Sequence, residues 1–196
     1  MREVLRRYIS NYITLSDRDF DYLMAKVELR NFDKKQKLII PGEIENYLNF
    51  VEKGLVRKYF IKGREEKVTE IVNENHLINS MVSFISGLPS LYFVEAIEPT
   101  TVLSITNESL ENLYNSSFKF ERLTRLIISA TYIQNERQNY DQMRLSVRER
   151  FIQFMQNNPD LLQRVPQKHL ASYLNIKPET FSRMKHLLRK RTLNGE

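Results

Sequence analysis

Glycine occurs at five positions, and four of them, Gly42, Gly54, Gly63 and Gly87, lie in the first half of the chain; from Asn107 onward there is none until Gly195. Glycine supplies the positive-φ corners of turns and weakens helix interiors, so this distribution divides the chain into a turn-rich half and a helix-permissive half. The hydrophobic pattern changes at the same place. Between about Glu28 and Thr106 it runs in short β-type stretches, LRNF, KLII, YLNFVEKGLVRKYFI, KVTEIV, YFVEAI and TTVLSI, separated by PGE, KG and EPT breaks. Beyond Asn107 helical periodicity takes over. The fold class that satisfies both halves is α+β, an antiparallel β-roll followed by an all-α region.

Smaller signals refine this outline. A short amphipathic stretch opens the chain, and Ser16 with Asp19 three residues later marks a helix N-cap before Phe20, Leu23, Met24 and Val27. The segment NENHLINSMVSFISGLP interrupts the roll with room for one helical turn or two, ending at Gly87, and such an insertion is where a roll would carry a ligand site. Leu123, Leu126, Ile127, Ala130, Ile133 and Gln134 recur at helical spacing in a long segment from about Phe118 to Asn139. Spacing alone fits a core helix and a dimer seam equally, and the length and position of the segment between two modules favour the seam. Leu145, Val147, Phe151, Ile152 and Met155 mark a further helix closed by Asn158 and Pro159. The expected domains are a roll over 1–116, a dimerisation helix over 117–140 and an all-α module over 141–196.

Charge separates these modules. Of 30 Lys+Arg and 24 Asp+Glu, residues 141–196 hold 11 and 5, so the whole net charge of +6 belongs to the C-terminal quarter and the rest is balanced. A basic module on a neutral body points to a polyanionic partner. The chain has no cysteine, which excludes disulfides, thiolate metal sites and thiol catalysis. No apolar run is long enough for a membrane span and the N-terminus has no apolar signal core, so a cytoplasmic protein without membrane association is expected. There is no nucleophile elbow, phosphate loop or H-E-x-x-H, Glu65–Glu66 reads as a turn, and no enzyme is expected; no cofactor or metal is expected either.

The C-terminal module contains QKHLASYLNIKPETFSRMKHLLRK, whose apolar Leu170, Leu174, Ile176, Phe181 and Met184, with small Ala171 at the crossing, fit the helix-turn-helix pattern. Asn175 stands where the turn needs a positive φ, and Pro178 falls at the first position of the second helix, where its missing N–H costs nothing. Lys177 is a poor N-cap. At about 100° per residue, Glu179, Arg183, His186 and Lys190 share one stripe of the second helix. A helix laid in the major groove reads bases with its N-terminal residues, so Glu179 and Arg183 are the specifying candidates, for cytosine and guanine respectively, and Thr180 meets the backbone. Gln167, Lys168, Lys177, Lys185 and Arg189 are the candidate phosphate contacts.

Two stretches, PDLLQRVPQKHLASYLNIKPETFSRM with its Glu179, Thr180, Ser182 and Arg183, and YLNFVEKGLVRKYF in the roll, resemble the Crp/Fnr (catabolite activator) family over nearly the whole chain. The resemblance implies a cyclic-nucleotide-binding-like jelly roll, a long dimerisation helix and a C-terminal helix-turn-helix. It also implies a transcription regulator that binds double-stranded DNA as a homodimer on a near-palindromic operator, with RNA polymerase as a partner and an unidentified small-molecule effector. Pro178 stands where the family usually has arginine. The Gly-Glu and Arg-Ser of the family's phosphate-binding cassette fall on Asn79–Ser80 and Ser90–Leu91, which leaves no cation for a phosphate, so cyclic AMP is not the expected effector. An iron–sulfur sensor lacks its cysteines, and His76 alone does not make a haem site. Only RTLNGE follows the recognition helix, so the family's wing is truncated or absent. The alternative reading is a sensor or partner-binding protein whose helix-turn-helix docks another protein.

Overall fold

The computed structural model describes residues 2–193, with side chains to residue 186. Two helices, α1 (Arg2–Ser10) and α2 (Asp17–Met24), open the chain, and Ser16 caps α2 by accepting from the Asp19 amide. Eight strands follow: β1 (Glu28–Phe32), β2 (Lys37–Ile39), β3 (Tyr47–Lys53), β4 (Val56–Lys62), β5 (Glu65–Val72), β6 (Leu77–Ile78), β7 (Phe93–Ala96) and β8 (Thr100–Thr106). A short helix α3 (Met81–Ser86) stands between β6 and β7 and ends on Gly87 at φ 68°, as the Gly87 signal implies. The remaining elements of the described residues are helices: α4 (Asn107–Ser116), α5 (Phe118–Arg144), α6 (Val147–Asn157), α7 (Leu161–Arg164), α8 (Gln167–Tyr173) and α9 (Pro178–Leu193). The fold is α+β, with the change of class at Asn107.

The strands form two four-stranded sheets in the orders β1-β8-β3-β6 and β2-β7-β4-β5. Side chains alternate across β3 and β8, so both faces of these strands are covered. Val51 and Val102 turn to a core with Phe32, Ile39, Val56, Val72, Ile78, Val94 and Ala96. Phe50, Leu103 and Ile105 turn the other way, onto Leu5, Ile9, Phe20, Leu23, Leu113, Phe120 and Leu123 of the helices. This double burial is why apolar residues in YLNFV fall on both faces of the strand and do not alternate with polar ones. The stretch YLNFVEKGLVRKYFI has the look of one hairpin, yet β3 and β4 belong to different sheets. The chain turns the corner at Gly54, φ 107°, where a Cβ would come within 2.8 Å of the Pro99 carbonyl and 2.7 Å of Thr100 Cα. Across β4 and β7, Arg57 pairs with Glu95 at 2.9 Å in a buried bridge that Lys37 and Tyr59 also join. Glu65 and Glu66, expected in a turn, begin β5 instead; the turn is made by Gly63 and Arg64.

The chain divides into two compact units: residues up to 60 with 70–133, and residues 61–69 with 134 onward. Among the described residues no helix is long and apolar enough to cross a membrane.

Candidate nucleic-acid interface

In the second unit, α6 starts on a capping box in which Ser146 Oγ accepts from the Glu149 amide and the Glu149 carboxylate accepts from the Ser146 amide. Ser146, through its hydroxyl and then its amide, holds the Glu149 carboxyl below the usual range. Phe151 of α6 meets Phe181 of α9 edge-on at 5.2 Å, and Phe154 packs on Tyr173 at 5.6 Å. Leu161, Val165, Leu170, Ala171 and Leu174 complete this core, with Leu170, Ala171 and Phe181 fully sequestered. Ala171 is fully buried, and a small residue at a helix crossing lets the two helices approach closely.

The link between α8 and α9 is a Schellman turn. Asn175, at φ 55°, donates its amide to the Ser172 carbonyl at 3.0 Å, and the Ile176 amide reaches back to the Ala171 carbonyl at 2.9 Å. Asparagine tolerates the left-handed region better than other side chains, so the sequence signal at Asn175 has its expected geometry. Pro178 is the first residue of α9, and the Lys177 carbonyl accepts from the Phe181 amide at 3.0 Å. Lys177 thus caps α9 through its backbone alone.

This frame exposes Gln167 and Lys168 in the first turn of α8, Lys177 before α9, and Glu179, Arg183 and His186 along one side of α9. Thr180 and Lys185 are partly buried. The side chains of Arg189 and Lys190 lie outside the described residues. His169, by contrast, is buried, with Nδ1 3.9 Å from the Glu66 carboxylate. No strand follows Thr106 among the described residues, and the single turn of α7 fills the stretch between α6 and α8.

The long-helix candidates divide by depth. Leu123 is buried in the core of the first unit and Ile127 packs partly against it. Leu126 and Ala130 are half-exposed, whereas Ile133 and Gln134 are open, as are Ile128 and Tyr132.

Around the positions Asn79, Ser80 and Ser90 the structure gathers Ser83, Glu45 and Lys58, which the sequence did not single out. Asn79, Ser80, Ser83 and Ser90 are buried, and the Ser90 hydroxyl donates to that of Ser80 at 2.9 Å. Between them lies Glu45, whose carboxylate accepts from the Ser80 amide at 3.3 Å and the Tyr47 amide at 3.1 Å, while its own amide donates to Ser83 Oγ. Burial pushes the Glu45 carboxyl above its usual range against the pull of these amides. A carboxylate of the chain itself therefore takes an amide of the cassette. The register left no cation here, but Lys58 of β4 brings one: its ammonium reaches the Asn79 carbonyl at 3.5 Å and pairs with Glu70. Glu45 belongs to no local motif, and Lys58, though inside YLNFVEKGLVRKYF, was given no role there; the roll brings both to this region.

Residues 29–117 match the cyclic nucleotide-binding domain family. No curated protein sequence matches the chain. The structure is similar to that of the c-di-GMP-responsive global regulator CLP from Xanthomonas campestris, with a TM-score of 0.69 and 16% identity over 92% of this chain and 93% of that one. It is also similar to FixK2 from Bradyrhizobium japonicum (TM-score 0.69, 19% identity, 85% and 86% covered). The catabolite activator protein of Thermus thermophilus aligns at a TM-score of 0.56 with 18% identity, over 91% and 85%. The fold of the chain is that of Crp/Fnr transcription regulators.

Proposed function

We infer that the chain is a sequence-specific DNA-binding transcription regulator, acting as a homodimer on a near-palindromic operator. The observation that carries this reading is the helical pair α8–α9. Its Schellman turn and buried Phe181 leave Glu179, Arg183 and His186 in solvent on one side, within the quarter of the chain that carries the whole net charge of +6. A helix so supported offers a reading edge to the major groove, and the exposed Gln167, Lys168 and Lys177 flank it as phosphate contacts. Arg183 reads guanine and Glu179 reads cytosine.

Two copies join along the exposed part of α5, with Leu126, Ala130, Ile133 and Gln134 as the seam, so that two α9 helices enter successive major grooves roughly 34 Å apart. Leu123 and Ile127 anchor the same helix inward. No catalytic chemistry is assigned. The roll takes an effector other than cyclic AMP or none, since the Ser80 amide is already engaged by Glu45 and Lys58 by Glu70.

The test is the salt dependence of binding to a labelled duplex. DNA binding through several phosphates weakens log-linearly with salt, by a slope of about 0.9 per phosphate contacted. An affinity that barely responds to salt would favour the alternative in which the helical pair docks another protein.

A further inference from the structure

The second unit contains, besides the C-terminal helices, the tip of the β4–β5 hairpin, residues 61–69. Strand β5 is the edge of its sheet, so the outward amides and carbonyls of the tip need partners from elsewhere. Ser172 of α8 bonds to two of them. Its hydroxyl accepts from the Val68 amide at 3.0 Å and donates to the Glu66 carbonyl at 2.8 Å, so one side chain fastens the tip to the first helix of the α8–α9 pair. Within the tip Lys62, Arg64 and Lys67 outnumber Glu65 and Glu66, a net charge of +1. The two anions have neighbours of their own. Lys67, hydrogen-bonded to it, holds the Glu65 carboxyl below its usual range, with Lys177 adding its attraction, and Glu66 stands beside the buried His169. The apex is different: Lys62 and Arg64 are exposed on either side of Gly63, whose φ of 65° makes the turn. The attraction between Lys177 and Glu65 also puts the tip near the start of α9, where Lys177 is one of the proposed phosphate contacts.

We propose that the tip serves the α8–α9 pair as a wing: Ser172 holds it beside the pair, and Lys62 and Arg64 at its apex bind phosphates of the DNA backbone flanking the groove that α9 reads. The proposal rests on the DNA-binding reading above and deepens it with backbone contacts from outside the C-terminal helices. No strand follows Thr106 among the described residues, so the hairpin that accompanies the pair is one lent by the roll. Lysine meets a phosphate as a point charge and arginine as a planar fork, and such contacts position a protein without selecting a sequence. The bonds to Ser172 reduce the ordering of the tip that is left to do on binding.

The experiment titrates a labelled mixed-sequence duplex with full-length proteins by fluorescence anisotropy over a series of salt concentrations. It compares wild type, Lys62→Ala/Arg64→Ala, Ser172→Ala and a control, Lys34→Ala/Lys53→Ala, which removes the same charge from exposed lysines of the roll. Two phosphate contacts predict that Lys62→Ala/Arg64→Ala lowers the salt slope by about 1.8, twice the value for one contact, and weakens binding at least tenfold, while the control keeps the slope of wild type. Ser172→Ala changes no charge and weakens binding several-fold, and its effect shrinks when the apex is already neutral, because the two act through one contact. A tip variant that binds like wild type, or loses no more slope and affinity than the control, would overturn the wing and leave the DNA-binding reading standing. Undiminished binding by Ser172→Ala would overturn the fastening. If wild type bound no duplex, or bound it without salt dependence, the functional reading would fail and the wing with it.

Discussion

Arg183 and Lys168 are both exposed cations of the helical pair, but their positions ask different things of them. On the proposed reading the Arg183 guanidinium forms two parallel bonds to one base, so Arg183→Ala should cost about 1–3 kcal/mol on the preferred site and relax the preference at that position. Lys168, in the first turn of α8, is the proposed phosphate contact, and on that reading Lys168→Ala should weaken all duplexes alike and lower the salt slope by about 1. Anisotropy titrations on matched and mismatched duplexes separate the two. Asn175 was legible in the sequence because a positive φ restricts the residue type locally, and Asn175→Ala should cost about 1–2 kcal/mol in thermal unfolding. Glu45 was not legible, since its partners Ser80 and Ser83 lie 35 and 38 residues away along the chain. The raised carboxyl means that the fold prefers the neutral acid, so ionisation destabilises the native state. The stability of Glu45→Gln relative to wild type should therefore rise as pH increases from the ordinary carboxylate range through the raised value. A pH-independent difference in denaturant midpoints would contradict the assignment.

At the scale of elements, α5 shows how far periodicity reaches. The spacing of Leu123, Leu126, Ile127, Ala130 and Ile133 specified a helix with a broad apolar stripe, and the structure divides that stripe between depths. Leu123 belongs to the core of its own unit, while Ile133 is 53% exposed, more than a buried core position allows. Sequence could not make that division, because it depends on which helices pack against the first turns of α5. If the exposed part is the dimer seam, Ile133→Glu places a charge in it and should convert the dimer to a monomer by sedimentation equilibrium, with DNA affinity falling at least tenfold as one half-site is lost. The corner at Gly54 is a comparable case. The apolar run around it announced two strands, but their assignment to separate sheets follows from the close approach of Thr100, which no local pattern encodes.

For the whole molecule, the change from β to α at Asn107 and the concentration of charge in the last quarter were both readable from residue counts, because they reflect backbone and electrostatic constraints that act without tertiary context. The membership of residues 61–69 in the C-terminal unit was not, as it depends on contacts between segments far apart in the chain, such as the bond from the Ser172 hydroxyl to the Glu66 carbonyl, 106 residues away. The fold shared with CLP, FixK2 and a catabolite activator agrees with the class read from the sequence, and the helical pair with its exposed edge is the part on which the functional reading stands. That reading is tested most directly by selecting bound duplexes from a random DNA pool at near-physiological salt, with wild type and Arg183→Ala in parallel. Wild type should enrich a near-palindrome whose half-sites lie about one helical turn apart, and Arg183→Ala should lose or relax one base pair in each half-site. Failure of wild type to enrich any sequence, or enrichment unaffected by Arg183→Ala, would contradict it.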